Sequence, residues 1–206
     1  TPIGTDYTKA YTGTFDGQSH TISGLYYSDT NGFCGLFGYV GSGGQVKNVK
    51  VADSYINDTV FVGGVCGYNY GGTITNCSFD GSVTGTSPLT LTGGVCGIND
   101  GTLTNCYNTG MCGSSGYSST ITNCYNTGSV TGTGTGDDNV GGVCGRNDGT
   151  ITNCYNDGSV TGSGDSDKVG GVCGMNDGTI TNCYNTGDVT GTGNGTGTLY
   201  VGGVSG

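Results

Sequence analysis

Short runs of alternating apolar and polar residues recur along the chain and are separated by Gly, Asn and Asp. One run reads Gly-Thr-Ile-Thr-Asn-Cys-Tyr-Asn, as at residues 149–156, and another reads Gly-Ser-Val-Thr-Gly, as at residues 158–162. Alternation over a few positions, with β-branched residues inside and turn-forming residues at the borders, predicts short β-strands. No longer segment has helical spacing, so the pattern predicts an all-β protein.

These runs belong to a unit that returns at intervals of about 30 residues. The unit opens with Gly-Gly-Val-Cys-Gly, or with Ser in place of Cys at the last copy, and these copies start at Gly63, Gly93, Gly141, Gly170 and Gly202. A shorter copy starts at Met111, and Gly35-Leu36-Phe37-Gly38 is a diverged early one. Three short strands per unit predict a right-handed parallel β-helix (β-solenoid) of about six to seven coils, stacked about 4.8 Å apart.

Stacking of equivalent residues predicts three apolar columns that together form the core. The first contains Ile74, Leu103, Ile121, Ile151 and Ile180. The second contains Val65, Val95, Val143 and Val172. The third contains Val83, Val130, Val160 and Val189. Two sets of Asn are expected to stack in the same way and to form hydrogen-bonded amide ladders: Asn69, Asn99, Asn147 and Asn176, and Asn76, Asn105, Asn123, Asn153 and Asn182.

Composition fits a thin, repetitive core. The 206 residues include 47 Gly and only 2 Pro, and 32% of the residues are hydrophobic. The formal net charge of −10 argues against nucleic-acid partners and anionic membrane surfaces, and no apolar run is long enough to insert into a membrane. The chain starts with Thr1 and shows no signal peptide, so we expect a mature or excised piece.

The repeats resemble the GLUG-motif repeats of bacterial surface proteins, over about residues 31–206. The preceding stretch, Tyr11-Thr12-Gly13-Thr14-Phe15-Asp16-Gly17, is similar to the segment that often comes before such repeats. We therefore divide the chain into a lead-in coil, residues 1–30, and a GLUG-like β-solenoid, residues 31–206. The resemblance implies an extracellular or cell-surface setting and no particular activity. Some family members are metallopeptidases whose zinc motif lies outside the repeats.

Eleven cysteines accompany the repeats. The Val-Cys-Gly position (Met-Cys-Gly in the short copy) holds Cys66, Cys96, Cys112, Cys144 and Cys173. The Asn-Cys position holds Cys77, Cys106, Cys124, Cys154 and Cys183. Cys34 remains. We predict one disulfide within each repeat, because both cysteines occur together in five units and are both replaced, by Phe37 and Val49, in the diverged unit.

Other states of these cysteines remain open at this point. Stacked residues also lie within disulfide reach, so bonds between coils compete, although five members in a column would leave one thiol over. Reduced thiols packed as small hydrophobic side chains are a further alternative. Metal ligation is not expected, because neither Cys-x-x-Cys spacing nor His partners are present. Disulfides would place the protein outside the cytosol.

Four tyrosines are expected to stack, and an exposed column of this kind is a candidate glycan-binding surface: Tyr107, Tyr125, Tyr155 and Tyr184. Packing with a polar tip at the surface is the alternative. Candidate N-glycosylation sequons start at Asn57, Asn76 and Asn194. Acidic residues such as Asp137 and Asp165 lie in variable loops, where solvated charge is more common than a calcium site.

No catalytic residues, metal site or cofactor are predicted. Arg146 is the only Arg, His20 is the only His, and the four Lys are scattered, so no nucleophile, base and orienting group can be assembled. We expect a structural extracellular solenoid, a surface stalk or a fibre subunit assembling end to end, because neither end of the chain shows a cap. Its partner is then another copy or the remainder of a longer surface protein. The alternative is an adhesin that binds host glycans or proteins through the Tyr column or the acidic loops.

Overall fold

A computed structural model describes residues 1–28, 32–58, 60–85, 91–108, 112–116, 118–132, 139–164, 167–193 and 198–206. Its strands, numbered β1 to β28 along the chain, pair in parallel with their counterparts in adjacent turns. The predicted fold class is confirmed as an all-β parallel solenoid. One 3₁₀ turn, Tyr7–Lys9, precedes β1 and is capped by the carboxylate of Asp6. The described residues contain no helix that is long and apolar enough to cross a membrane.

One 13-stranded sheet forms two connected faces of the solenoid. It contains β1 (Thr14–Ser23), β2 (Tyr26–Ser28), β5 (Gln45–Asp58), β8 (Thr73–Thr75), β9 (Ser78–Gly85), β12 (Thr102–Thr104), β13 (Tyr107–Asn108), β15 (Thr120–Thr122), β16 (Tyr125–Asn126), β20 (Thr150–Thr152), β21 (Tyr155–Asn156), β25 (Thr179–Thr181) and β26 (Tyr184–Asn185). The long strand β5 pairs with both β8 and β9, and it thereby joins the two faces.

A second sheet of six strands forms another face. It contains β4 (Phe37–Val40), β7 (Cys66–Asn69), β11 (Cys96–Asn99), β14 (Cys112–Ser115), β19 (Cys144–Asn147) and β24 (Cys173–Asn176). Three small sheets complete the turns: β3 (Phe33–Cys34), β6 (Phe61–Gly63) and β10 (Leu91–Gly93); β17 (Val130–Gly132), β22 (Val160–Gly162) and β27 (Val189–Gly191); β18 (Asn139–Gly141), β23 (Lys168–Gly170) and β28 (Tyr200–Gly202).

The regular part of the solenoid has about five turns, which are those that contain the paired cysteine positions. This number is slightly lower than the six to seven coils expected from the sequence. The difference lies at the amino-terminal side, where β3 to β5 form a turn without the cysteine pair and β1 and β2 add strands to β5. These segments diverge in sequence from the repeat while keeping its parallel pairing.

The described residues of two of the three predicted apolar columns lie in the core. Ile74, Leu103 and Ile121 pair in register in adjacent turns and are fully buried. The valines of the second column, Val65, Val95, Val143 and Val172, are also fully buried. Each inward side chain therefore contacts an equivalent one above and below, and a chain with few apolar residues still obtains a closed core.

The third predicted column is wrong as a single column. Val130, Val160 and Val189 pair in register and pack with Val140 and Val169 in a small separate cluster. Val83 instead pairs with Ile56 and packs against the main core. The short copy explains the break: only residues 109–111 separate β13 from β14, so this turn has no room for the Gly-Ser-Val-Thr-Gly strand.

Candidate functional site

A left-handed residue at one corner of each turn sets the direction of the surface side chains. Asn153, between β20 and β21, has φ +54°, and Asn48, Asn76, Asn105, Asn123 and Asn182 have values of +53° to +55°. Asn tolerates this region better than most residues. The bend interrupts the strand alternation, so that Ile151 and Cys154 both point into the core while Tyr155 points outward.

The corner Asn side chains form an exposed amide ladder, as predicted. Asn105 donates from Nδ2 to Oδ1 of Asn76 over 3.1 Å, and Asn123 donates to Asn105 over 3.3 Å. The same pattern continues from Asn153 to Asn123 and from Asn76 to Asn48. Asn48 then donates to the carboxylate of Asp16 over 3.0 Å. All amides of the ladder point the same way along the axis, and a charged acceptor terminates the chain of hydrogen bonds at the amino-terminal side.

Two further ladders lie inside the solenoid. Asn69 donates to Asn99 over 2.8 Å, and Asn147 donates to Asn176 over 2.7 Å, in the set that the sequence predicts. A set not predicted consists of Asn126, Asn156 and Asn185, which are linked by bonds of 2.5 and 2.6 Å. Its signal in the sequence is the constant Asn after each Tyr, but without the corner bend that position would be assigned to the outer face.

The cysteines of the Asn-Cys position form a vertical column of thiols in the main core. The backbone N–H of Cys106 donates to Sγ of Cys124 over 3.4 Å, and the N–H of Cys124 donates in the same way to Cys154. Each thiol also donates to the carbonyl two residues before it, as Cys154 does to Thr152 over 3.2 Å. Hydrogen bonding with Cys106, together with burial, raises the pKa of Cys77. These thiols therefore act as hydrogen-bonding groups inside the core.

The cysteines of the Val-Cys-Gly position stack in the six-stranded sheet. Cys96, Cys144 and Cys173 each donate to the carbonyl two residues ahead, over 2.8 to 3.0 Å. The five cysteines of the Asn-Cys position form no disulfide in this structure, so none of them is bonded to the Val-Cys-Gly cysteine of its own repeat. The side chain of Cys112 lies outside the described part. Pairing within repeats stays a prediction, and the thiol contacts seen in the Asn-Cys column run between turns.

The four predicted tyrosines form a column on the outer face. Their ring centroids are 5.3, 4.9 and 5.1 Å apart in sequence order, and successive rings are within 7° of parallel. Both faces of Tyr125 and Tyr155 are covered by neighbouring rings, which leaves the ring edges and hydroxyl groups at the surface. Stacking of a sugar ring is therefore open only at the outer faces of Tyr107 and Tyr184.

An aromatic cluster that the sequence does not predict lies on the six-stranded face. Tyr39 and Tyr68 have ring centroids 5.1 Å apart, and Tyr70 lies within 6.1 Å of both. The hydroxyl of Tyr68 donates to the carboxylate of Asp100 in the next turn. Burial and this hydrogen bond raise the pKa of Tyr68. Half of the Tyr70 side chain is exposed, so the cluster presents one aromatic group to solvent.

A cavity of about 350 Å³ lies beside the first residues of the chain. Its lining includes Tyr27, Phe33, Cys34 and Asp58, and the Asp58 side chain is almost completely buried. Among the described residues no group of three or more His, Cys, Asp or Glu is placed to hold a metal ion. Of the three predicted sequon asparagines, Asn76 is exposed, Asn57 lies in β5, and Asn194 lies outside the described residues. The loop aspartates Asp137 and Asp165 also lie outside the described residues.

Comparison with known proteins identifies the repeat. The family model described as "The GLUG motif" matches residues 62–84, 136–161 and 168–190. Halomucin of Haloquadratum walsbyi is 37% identical over 98 residues, which are 47% of this chain and 1% of that protein. A "Putative Gly-rich membrane protein" of Evansella cellulosilytica is 35% identical over 74 residues, 34% of this chain and 8% of that protein. The chain thus spans a small part of these relatives.

A solved structure has the same fold. The crystal structure of "a putative immunoglobulin A1 protease" from Bacteroides ovatus superposes with a TM-score of 0.50, covering 92% of this chain and 68% of that one at 21% sequence identity. At this level of identity the likeness concerns the fold alone. It agrees with the parallel β-solenoid described above.

Proposed function

Since this chain carries GLUG-motif repeats wound into a parallel β-solenoid, we propose that it is a structural segment of an extracellular cell-surface protein. It works as a stalk or as a fibre-forming subunit that assembles end to end. The names of the two relatives, a halomucin and a glycine-rich membrane protein, support the cell-surface setting. Because the chain spans only 1% and 8% of those proteins, a longer surface protein is the other context in which such a segment serves.

The observation that carries this proposal is the change in exposure at the carboxyl-terminal edge. Val169 is fully buried, whereas Val201, its partner in the next turn, is 48% exposed. Val172 is fully buried, and Val204, which accepts its backbone hydrogen bond, is 38% exposed. One additional solenoid turn stacked on this edge would bury these side chains as the preceding turns are buried.

The amino-terminal edge offers the complementary surface. Among the described strands β1 pairs only with β5, so its other edge keeps backbone N–H and C=O groups without a strand partner. An edge of this kind is a template for another chain. In a fibre that chain is a second copy, because a head-to-tail contact between the two different edges repeats without closing and produces a filament. In a longer surface protein it is an adjacent turn of the same chain.

Electron microscopy of the purified chain, without reducing agent, tests the assembly. We expect filaments from the wild-type chain and isolated rods from Val201→Lys, because the new charge lies on the open carboxyl-terminal edge. Thr104→Lys adds the same charge to the outer face of a middle turn and should leave the filaments intact. Isolated wild-type rods would contradict end-to-end assembly, and loss of filaments in both variants would show a general effect of charge.

The structural role that we propose does not include catalysis. The cationic side chains with described partners form surface pairs with aspartates: Lys47 with Asp16, Lys50 with Asp80, and Arg146 with Asp148. The first two pairs lie on β5, on either side of the left-handed Asn48, and the third lies on β19 of the six-stranded sheet. A polysaccharide-cleaving solenoid would instead need carboxylates and basic groups on one substrate-binding face.

An adhesin is the second candidate, and the exposed aromatic groups favour it. The free outer faces of Tyr107 and Tyr184, and the exposed Tyr70, offer positions for glycan or protein contacts. Binding of the chain to an array of glycans, with Tyr70→Ala and Tyr184→Ala compared against wild type, tests this function. Binding that both variants retain would exclude Tyr70 and Tyr184 as the contact.

A further inference from the structure

The tyrosine column is held in place by the backbone of the solenoid. Tyr107, Tyr125, Tyr155 and Tyr184 are paired in register in β13, β16, β21 and β26. Neighbouring rings of the three successive pairs are therefore fixed close together, with interplanar angles of 7°, 2° and 4°. Each phenol has one phenol above or below it at the distance set by the stacking of the turns.

The column is also accessible from solvent. Tyr107 is 41% exposed and Tyr184 is 52% exposed, while Tyr125 and Tyr155 are partly exposed between them. Burial and the neighbouring phenols and Asp157 raise the pKa of Tyr155, so its hydroxyl is protonated at neutral pH. An oxidant at the surface thus meets a row of phenols, each next to a second phenol of the same chain.

From this geometry we infer that the column is a site of oxidative cross-linking, in which a haem peroxidase and hydrogen peroxide join adjacent turns through dityrosine bonds. A covalent link between turns would resist separation of the solenoid under load. The inference concerns a modification of this surface and does not depend on the proposed stalk or fibre function. Tyr26 and Tyr55 form a second stacked pair, with ring centroids 5.4 Å apart, and are expected to react in the same way.

The chemistry balances as a two-electron oxidation. Each of two neighbouring tyrosines loses one electron and its phenolic proton, which gives two phenoxyl radicals. A carbon–carbon bond then forms between the ring carbons ortho to the oxygens, and the two ortho hydrogens move to the oxygens as the rings become aromatic again. Hydrogen peroxide accepts the two electrons and two protons and becomes two molecules of water. The cross-linked protein has lost two hydrogen atoms per bond.

The test treats the dilute full chain with a haem peroxidase and hydrogen peroxide. Dityrosine fluorescence reports the yield, and mass spectrometry of peptides from the denatured product locates the links. We expect links between neighbouring members of the column. Tyr155→Phe keeps the ring and removes the phenol, which reduces three adjacent pairs to one, so the initial rate of dityrosine formation within the column should fall to about one third.

Two matched variants make the result decisive. Tyr184→Phe removes one of the three pairs and should leave about two thirds of the initial rate within the column. Tyr7→Phe removes a phenol that is 78% exposed and in no ring stack, so it should change nothing within the column. Equal initial rates for Tyr155→Phe and Tyr184→Phe, or links that join mainly Tyr7 and Tyr200 of different molecules, would overturn the inference. Circular dichroism of each variant verifies that the solenoid is folded.

Discussion

The side-chain amide of Asn126 donates to Oδ1 of Asn156 over 2.5 Å, and both side chains are completely buried. Asn156 in turn donates to Asn185 and to the carbonyl of Gly158. A polar column therefore runs inside the solenoid beside the thiol and apolar columns. Its hydrogen bonds replace those that the amides would make with water, and interruption of the column leaves buried groups without partners.

The first prediction concerns this buried ladder. Asn156→Ala removes the acceptor of Asn126 and the donor to Asn185, and we expect a loss of about 1–3 kcal/mol of unfolding free energy for each buried group left unpaired. Asn153→Gly is the matched control, because it keeps the left-handed corner and removes only an exposed amide. Urea unfolding measures the free energy of unfolding of both variants. A loss for Asn153→Gly as large as that for Asn156→Ala would show that burial of the amide is unimportant.

The Gly-Gly pair of the repeat provides a second prediction. A Cβ atom on Gly142 would lie 2.3 Å from Cγ of Asn156 and 2.4 Å from the carbonyl oxygen of Gly171 in the next turn. Gly142→Ala should therefore destabilise the fold by about 1–3 kcal/mol, as overpacking does. Gly203 occupies the same position of the motif, and a Cβ there meets nothing within 4 Å. Gly203→Ala should leave the thermal midpoint unchanged, and equal shifts for the two variants would contradict the steric explanation.

The sequence predicts much of this fold because its repeats fix the register. Residues such as Ile74 and Leu103 occupy the same place in successive units, and one-turn pairing stacks them without further information. The stacked tyrosines follow for the same reason. The valine column is interrupted after Val83, and the sequence shows this only as a shortened unit. The sequence does not show which strand the short turn omits, and that strand decides how Val83 pairs.

The sequence predicts which residues pair between turns better than it predicts whether a side chain faces the core or the solvent. Side chains alternate between faces only while the backbone stays extended, and the left-handed Asn153 shifts the alternation by one. Asn156 thereby turns inward and Tyr155 outward. The aromatic cluster around Tyr68 is also hidden in the sequence. Tyr39 and Tyr68 occupy the position that Ile98 and Arg146 take in other units, and Tyr70 occupies the position of Asp100. A repeat pattern carries no signal for residues that depart from it.

The state of the cysteines is a third prediction, on which the sequence and the structure differ. If all the cysteines are thiols, as Cys77 and Cys183 are in this structure, a thiol reagent in denaturant without reductant labels all eleven of them. Disulfides within the five repeats would leave only Cys34 to react. In the native protein we expect Cys183 to react first, because it is the only half-buried thiol among the described cysteines. Mass spectrometry of alkylated peptides identifies the labelled positions.

The pH dependence of stability provides the last prediction. Burial and the hydrogen bond to Asp100 raise the pKa of Tyr68 above the value of about 10 that a tyrosine has in an unfolded chain. A raised pKa means that the folded state favours the neutral phenol, so this contribution to stability is complete below pH of about 10 and is lost as the pH rises further. Tyr68→Phe lacks the titrating group.

We therefore expect the wild-type chain to lose more stability than Tyr68→Phe between pH values of about 9 and 11, with Tyr70→Phe as the matched control. Thermal unfolding at each pH measures the loss, and the phenolate absorbance of the wild type minus that of the variant follows the titration of Tyr68 itself. Parallel pH profiles for the wild type and Tyr68→Phe would show that the bond between Tyr68 and Asp100 does not couple ionisation to folding. If Tyr70→Phe reproduced the effect of Tyr68→Phe, the coupling would belong to the aromatic cluster as a whole, because Tyr70 lies within 6.1 Å of Tyr68.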